Sequence, residues 1–582
     1  VTQETAHTRK QAAPRPPRRL PRRLPRLALG ALGGVLSGYA ALALAELVAA
    51  AVRPQAGPVV AVGGAAVDRT PVEVKDWAIR HFGTNDKLVL QLGILAVLTL
   101  FAVVLGAFAT RFRRTGAAGV LLFGVVGAAA ALSRPDSEGF TDTLPSLVGA
   151  VAGAVLLYVL MGPLGRWRAR GATAPAGPRG NEDAPGDRTN SEGPEGTDTP
   201  DGTYGTDAPD AGGGPAGAPA WDRRRFVLLA TSAAAVSTGA GAAGRALSGA
   251  GSADAVASRK AVRLPRPRSA ARPVPAGARL RVPGLSPFTT PNADFYRVDT
   301  ALVVPKVNAD TWRLRVHGEG VRGPLTLSFQ DLLRRELIER DITLTCVSNE
   351  VGGPYVGNAR WIGVPLAPIL REAGVRPPSR GGKADQLVAR SVDGMTLGSP
   401  VETVMDGRDA MLALGMNGEP LPFAHGFPVR MLVPGLYGYV SACKWIEDLE
   451  LTTFDSYDPY WVKRSWAKQA PIKTQARIDT PKPFGRPKRG TVVVAGVAWA
   501  QHRGIEKVEV QVDDGPWRRA DLAAEDTKDT WRQWSWPWRA TPGGHTLTVR
   551  ATDASGTTQT TKRTGTVPDG ASGRHSVVVT VD

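Results

Sequence analysis

Hydrophobic positions follow two different patterns along this chain. Between residues 27 and 163 they gather into four blocks, at about 27–52, 87–110, 115–133 and 144–163, rich in Ala, Leu, Val and Gly. Each block is near the length that crosses a bilayer as a helix. Toward the C-terminus the pattern changes to alternation, in TVVVAGVAWA (491–500), KVEVQVDD (507–514), WRQWSWPWRA (531–540), HTLTVRATD (545–553) and HSVVVTVD (575–582). Short period-two runs separated by Gly, Pro and Asp predict strands, and their spacing predicts a β-sandwich over 471–582. Between the two regimes, residues 164–221 are rich in Gly, Pro, Asp and Thr and nearly devoid of large apolar groups. Such a composition cannot offset chain entropy, so a disordered linker is expected there.

Charge then orients the helices. The formal charge is +18, from 71 Lys and Arg against 53 Asp and Glu. That total invites a nucleic-acid reading, but the densest basic run, RKQAAPRPPRRLPRRLPR (9–26), lies directly before the first apolar block. The turn RFRR (111–114) and the exit RWRAR (166–170) carry the other clusters. All three fall on one side of a four-helix unit at 27–163, which places 1–26 as a cytoplasmic tail and predicts no nucleic-acid partner. None of the seven histidines lies in a span, so this unit is an anchor with no haem of its own.

WDRRRFVLLATSAAAVSTGAGAAG (221–244) opens a further segment, 222–250. Its paired arginines and mild apolarity fit a twin-arginine export signal, and also a fifth span. Either way, everything beyond about 250 lies outside the cytoplasm. The proline-rich, basic stretch 251–284 is expected to be an extended, non-globular tether.

The chain has two cysteines, Cys346 and Cys443, 97 residues apart. Cys346 opens the polar turn CVSNEVGG after the β-branched run DITLT. It can be read as half of a disulfide, as a buried inert thiol, or as a thiolate ligand to a soft metal. No Cys-x-x-Cys or Cys/His spacing points to zinc or iron–sulfur, so a single thiolate needs a cofactor that supplies the remaining ligands.

The run CVSNEVGGPYVGNARWIGVPLAPILREAGV (346–375) resembles the molybdopterin domain of the sulfite oxidase family. The likeness continues through TPNADFYRVDT (290–300), SVDGMTLGSPVETVMD (391–406) and LALGMNGEPLPFAHGFPVRMLVPGLYGYVSACKWIEDLEL (412–451), and covers about 285–470. It implies a mixed α+β catalytic domain holding molybdenum-molybdopterin, with Cys346 as metal ligand. By the same likeness Tyr296, Arg297, Asp393, His425, Arg430, Ser441 and Lys444 are expected to hold the pterin, Arg430 by its planar fork and Lys444 as a point charge. Arg360 is expected either at the reacting face, as a catalytic group, or paired with Glu350. The sandwich resembles the family's immunoglobulin-like dimerisation domain, which implies a homodimer as one arrangement.

Two departures bear on substrate. Sulfite-oxidising members commonly carry arginines just after the ligand cysteine, where this chain has Asn349-Glu350-Val351; a carboxylate there repels a dianion. The loop GLYGYVSACKW (435–445) is one residue longer than the sulfite-oxidising pattern. Tyr460 and Trp461 are expected to finish the substrate funnel. No haem, flavin or nicotinamide motif occurs, so electrons must pass through a separate cytochrome or quinone-linked partner. The expectation is a multi-pass, membrane-anchored molybdenum oxidoreductase, acting outside the cytoplasm by oxygen-atom transfer on a small sulfur compound. The alternatives are a sulfite dehydrogenase proper, or a non-enzymatic receptor or scaffold with a degenerate molybdopterin domain.

Overall fold

The computed structural model describes residues 24–71, 74, 81–82, 86–166 and 220–582. The basic tail before residue 24 and most of the expected linker, 167–219, lie outside the described residues. The apolar blocks form helices α1 (Leu24–Val52), α3 (Asp86–Ala109), α4 (Arg113–Leu132) and α5 (Leu144–Arg166), joined by an additional helix α2 (Pro58–Arg69). A sixth, α6, runs unbroken for 42 residues from Ala220 to Ala261. Among the described residues, five helices are long and apolar enough to cross a membrane, including Arg224–Ala261 within α6.

The chain divides into two compact units. One comprises residues 1–45, 95–125 and 146–242. It is all-helical where described, with Ala109, Leu157, Leu160, Met161 and Phe226 at its centre. Small residues let its helix backbones approach. A Cβ on Gly34 would sit 2.0 Å from the Ala102 carbonyl oxygen, and one on Gly106 2.2 Å from that of Gly30.

The second unit comprises residues 46–94, 126–145 and 243–582, and holds every strand among the described residues. One sheet has the order β2-β1-β10-β5-β6: β1 (Arg313–Gly318), β2 (Leu325–Ser328), β5 (Gln386–Ser391), β6 (Thr396–Pro400) and β10 (Ile446–Thr452). Only its β1–β10 pair is parallel. The other sheet runs β3 (Ile338–Thr345), β4 (Val356–Pro365), β7 (Met411–Met416) and β8 (Glu419–Pro420), with β9 (Arg430–Leu432) also on β7. Both share one core that includes Leu314, Trp361, Leu414, Phe427 and Ile446, all essentially inaccessible.

After residue 470 come two four-stranded antiparallel sheets. The first is β11 (Gln475–Thr480), β12 (Gly490–Trp499), β16 (Arg532–Ala540) and β15 (Asp521–Leu522). The second is β14 (Arg518–Arg519), β13 (Ile505–Val512), β17 (Gly543–Asp553) and β18 (His575–Val581). Their common core contains Val494, Val508, Trp534, Val549 and Val579. Trp531 belongs instead to the core of the preceding domain, where its indole N–H donates to the Phe288 carbonyl at 2.8 Å. Trp517 lies under the guanidinium of Arg550.

The expected tether departs from its reading. Residues 251–261 are helical, because the Ala-rich ADAVASRKA favours a helix until Pro265 and Pro267 forbid one. The rest is extended but docked. Arg268 N–H donates to the Leu337 carbonyl at 2.8 Å, and Glu339 N–H to that of Ser269 at 2.9 Å. β3 is an edge strand, and the tether supplies partners for its otherwise bare backbone.

Candidate active site

β3 carries Cys346 to the end of its sheet. Five successive residues of that strand, Asp341–Thr345, are buried, and the chain then turns sharply. Cys346 N–H donates to the Tyr355 carbonyl (2.9 Å), and Asn349 Oδ1 accepts from Tyr355 N–H (2.7 Å). Gly352, at φ +81°, makes the reversal that a side chain would resist. Cys346 and Cys443 stand as separate thiols, which removes the disulfide reading. Cys443 is fully buried, and burial pushes its thiol well up, as expected of a packed residue.

A cavity of about 330 Å³ lies over Cys346. Of the residues singled out in the sequence, it brings together Cys346, Tyr296, Asp393, Arg430, Lys444, Tyr460 and Trp461. Burial pushes the Tyr296 phenol up, and the neighbouring Cys346 adds to the effect. Arg430, at the start of β9, is 6% exposed, and desolvation brings its guanidinium down to about 10. Among the described residues its one hydrogen bond is a long one, from Nη1 to the His425 carbonyl at 3.5 Å, and Nε meets no partner there. No carboxylate among the described residues pairs with it. A buried guanidinium left in that state suits an anionic group brought by a ligand, so the pocket fits a phosphate-bearing pterin.

Asp299 ties the remaining charges together. Its carboxylate accepts from Lys444 Nζ (2.7 Å), Arg297 Nε (3.0 Å) and Lys87 Nζ. Burial alone would raise this carboxyl, but the three cations hold it well below the usual range. Lys444 is lowered by burial to about 8 despite its partner. Asp393 is raised by burial.

Four expected site residues are placed differently. Arg360 faces Asp341 across the β3–β4 register, with Nη2 and Nε at 2.6 and 3.1 Å from the carboxylate, and does not line the cavity. The pairing puts its side chain on the sheet face away from the site, so neither the catalytic role nor the Glu350 pair is retained. Ser441, in the short helix α7 (Gly438–Ser441), donates back to the carbonyls of Leu436 and Tyr437 at 3.0 Å and is not a lining residue. His425 bonds the Asn292 carbonyl (2.9 Å), and burial lowers its imidazole to about 4; it braces the opening loop from behind Arg430. Arg297 reaches the site only through Asp299. Glu350 is exposed and outside the cavity lining.

Sequence reasoning missed Asp299 and Lys87: Asp299 stands in the run TPNADFYRVDT and Lys87 at the start of the second apolar block, and nothing local in the sequence joins them. It also missed Asn358 and Asn417. Asn358 accepts from Thr343 Oγ1 (3.0 Å) and donates to the Phe288 carbonyl (3.0 Å), while Asn417 donates to Thr290 O (2.9 Å) and Asn292 Oδ1 (2.8 Å). Together they fix the loop that presents Tyr296.

Residues 301–461 match the family described as oxidoreductase molybdopterin binding domain. The chain thus carries a molybdopterin-binding oxidoreductase domain, whose cofactor is molybdenum-molybdopterin. Among curated proteins it is similar to mitochondrial sulfite oxidase of Rattus norvegicus (29% identity, 43% of this chain, 52% of that one) and to sulfite oxidase of Gallus gallus (30%, 43% and 62%). It is also similar to nitrate reductase [NADH] 1 of Oryza sativa subsp. japonica, at 32% identity over 30% of this chain and 21% of that one. The chain spans about half the length of the sulfite oxidases it matches. Among solved structures, the sulfane dehydrogenase SoxCD from Paracoccus pantotrophus aligns with 24% identity and a TM-score of 0.44, over 51% of this chain and 84% of that one.

Proposed function

We propose that this protein is a membrane-anchored molybdenum oxidoreductase that transfers an oxygen atom to or from a small, uncharged sulfur compound outside the cytoplasm. The observation that carries the reading is the convergence of Cys346, Arg430 and Lys444 on one cavity. When bound, the molybdenum cofactor supplies the two-electron change that accompanies oxygen-atom transfer. Cys346 would ligate the metal as thiolate, Arg430 would pair with the pterin phosphate, and Lys444 would hold the ring while Asp299 fixes its position. In the oxidising direction a sulfide and water give a sulfoxide, two protons and two electrons, and the electrons leave to a separate redox partner.

The lining supports an uncharged substrate: Val67, Val74, Leu90, Leu302, Trp461 and Trp466 present apolar surface to the cavity. The positive clusters at 111–114, 166–170 and 223–225 support an outward-facing catalytic domain.

Purified protein should contain molybdenum, and Cys346→Ser should lose both the metal and turnover while keeping its fold. Full activity in that variant, or no molybdenum under loading conditions, overturns the assignment. Sulfite, sulfides and sulfoxides assayed side by side separate the alternatives: turnover of sulfite alone identifies a sulfite dehydrogenase.

A further inference from the structure

The cavity over Cys346 is not built by the molybdopterin domain alone. Val67 at the end of α2, Thr70, Val74, and Lys87 and Leu90 in the first turns of α3 form one of its walls. Opposite stand Leu302, Trp461 and Trp466, so most of the lining away from the cofactor end is apolar. Lys87 fastens this wall to the site. Its ammonium donates to Asp299 and to the Ala301 carbonyl (2.6 Å). The same turns of α3 turn Leu88 and Leu92, 54% and 57% exposed, outward on a helix apolar enough to span a bilayer.

A second cavity, of about 540 Å³, adjoins the first and shares Val67, Thr300, Leu302, Asp393, Met395 and Tyr460 with it. It runs between α2, the end of α1 and the part of α6 near Leu247. The Tyr460 hydroxyl donates to Asp68 of α2 where the two volumes meet, and Arg464 lies 3.4 Å from the same carboxylate.

We propose that this site takes an amphiphilic ligand, a small uncharged sulfur head on an alkyl or aryl body, which enters from the bilayer surface, and that Val67 and Leu90 determine its specificity. The inference rests on the proposed oxygen-atom chemistry and adds the substrate class. The head lies toward Cys346 between Tyr296 and Asp393, and the body lies against Val67, Leu90 and the tryptophans. A short polar compound, or an anion, leaves the apolar wall against water. Burial of each added methylene strengthens binding about fourfold until the wall is covered.

The test uses full-length holoprotein in lipid nanodiscs, titrated with dimethyl, butyl methyl and octyl methyl sulfoxide and followed by tryptophan fluorescence, with empty nanodiscs correcting for partition into lipid. Affinity is expected to rise at least tenfold from the dimethyl to the butyl compound. Val67→Asn and Leu90→Asn should each remove most of that increment while retaining molybdenum at the wild-type level. Affinity independent of chain length, unchanged chain-length dependence in both variants, or displacement of the octyl compound by equimolar sulfite overturns the proposal. A protein that holds molybdenum and turns over dimethyl sulfoxide, yet shows no chain-length effect, sinks this inference and leaves the reaction class standing. A protein without molybdenum sinks the reaction class itself.

Discussion

Replacing Arg430 with methionine should stabilise the cofactor-free protein and abolish its hold on the cofactor. The guanidinium is buried, meets only one long hydrogen bond, and lies 5.4 Å from the Trp361 ring centroid. Its fall from the ordinary arginine range to about 10 corresponds to roughly 3 kcal/mol of desolvation cost at neutral pH. Methionine fills a similar volume without charge, and losing the long bond and the ring contact returns roughly 1 kcal/mol. The net gain is about 2 kcal/mol, which in a domain of this size raises the melting temperature by about 4–8 °C. The cost falls on binding. Two charge-assisted bonds to a phosphate are worth about 3–6 kcal/mol, so affinity for the cofactor should drop more than about 100-fold. Both proteins would be prepared from a host unable to make the cofactor, melted in parallel, and then loaded and analysed for molybdenum. A variant that melts at or below the wild type, or that retains molybdenum stoichiometrically, refutes the argument that Arg430 is a charge held in reserve for a ligand.

Two further outcomes can be measured on the same preparations. Asp526 is raised to about 6, by burial first and by the Asp341 carboxylate second. A carboxyl raised in the folded state costs stability once ionised, so the cost is absent below about pH 4, grows as pH rises through 6, and is complete above it. Screening at this partly exposed site reduces it to about 1 kcal/mol. Asp526→Asn should therefore melt higher than wild type at pH 7.5 and equally at pH 4; a difference that persists at pH 4 contradicts the pairing. Asn358→Leu removes two buried hydrogen bonds that fix the Tyr296 loop and should destabilise the protein by about 2–3 kcal/mol. An unchanged melting temperature would show that the loop is held by other means.

How far the site was legible depended on whether its residues act locally. Cys346 was readable because its strand, turn and downstream Asn-Ala-Arg-Trp lie together in the chain, and Arg430 and Lys444 because their segments have a recognisable order. Arg360 stood in the same motif but was misplaced, since the sheet face of a strand residue depends on register, and register pairs it with Asp341. Asp299 could not be read from its neighbours. Its cations arrive from residues 87, 297 and 444, and only tertiary packing joins them. Helix α2 was overlooked because VVAVGGAAV is short and glycine-broken; Pro58 at its first turn is the signal that marks its start. The helical part of the tether was hidden by the prolines that follow it.

Gln501 of the C-terminal sandwich reaches over to β3, donating to the Thr343 carbonyl (3.0 Å) and the Thr345 hydroxyl (2.9 Å), and Trp531 N–H donates to the Thr343 hydroxyl (2.7 Å). These bonds end one residue short of the cysteine. A chain truncated at residue 470 would therefore not be a simpler version of the enzyme: it would strip these hydrogen bonds from β3, the strand that leads to Cys346, and leave its polar groups to solvent, so here the two folds must be made and studied as one piece.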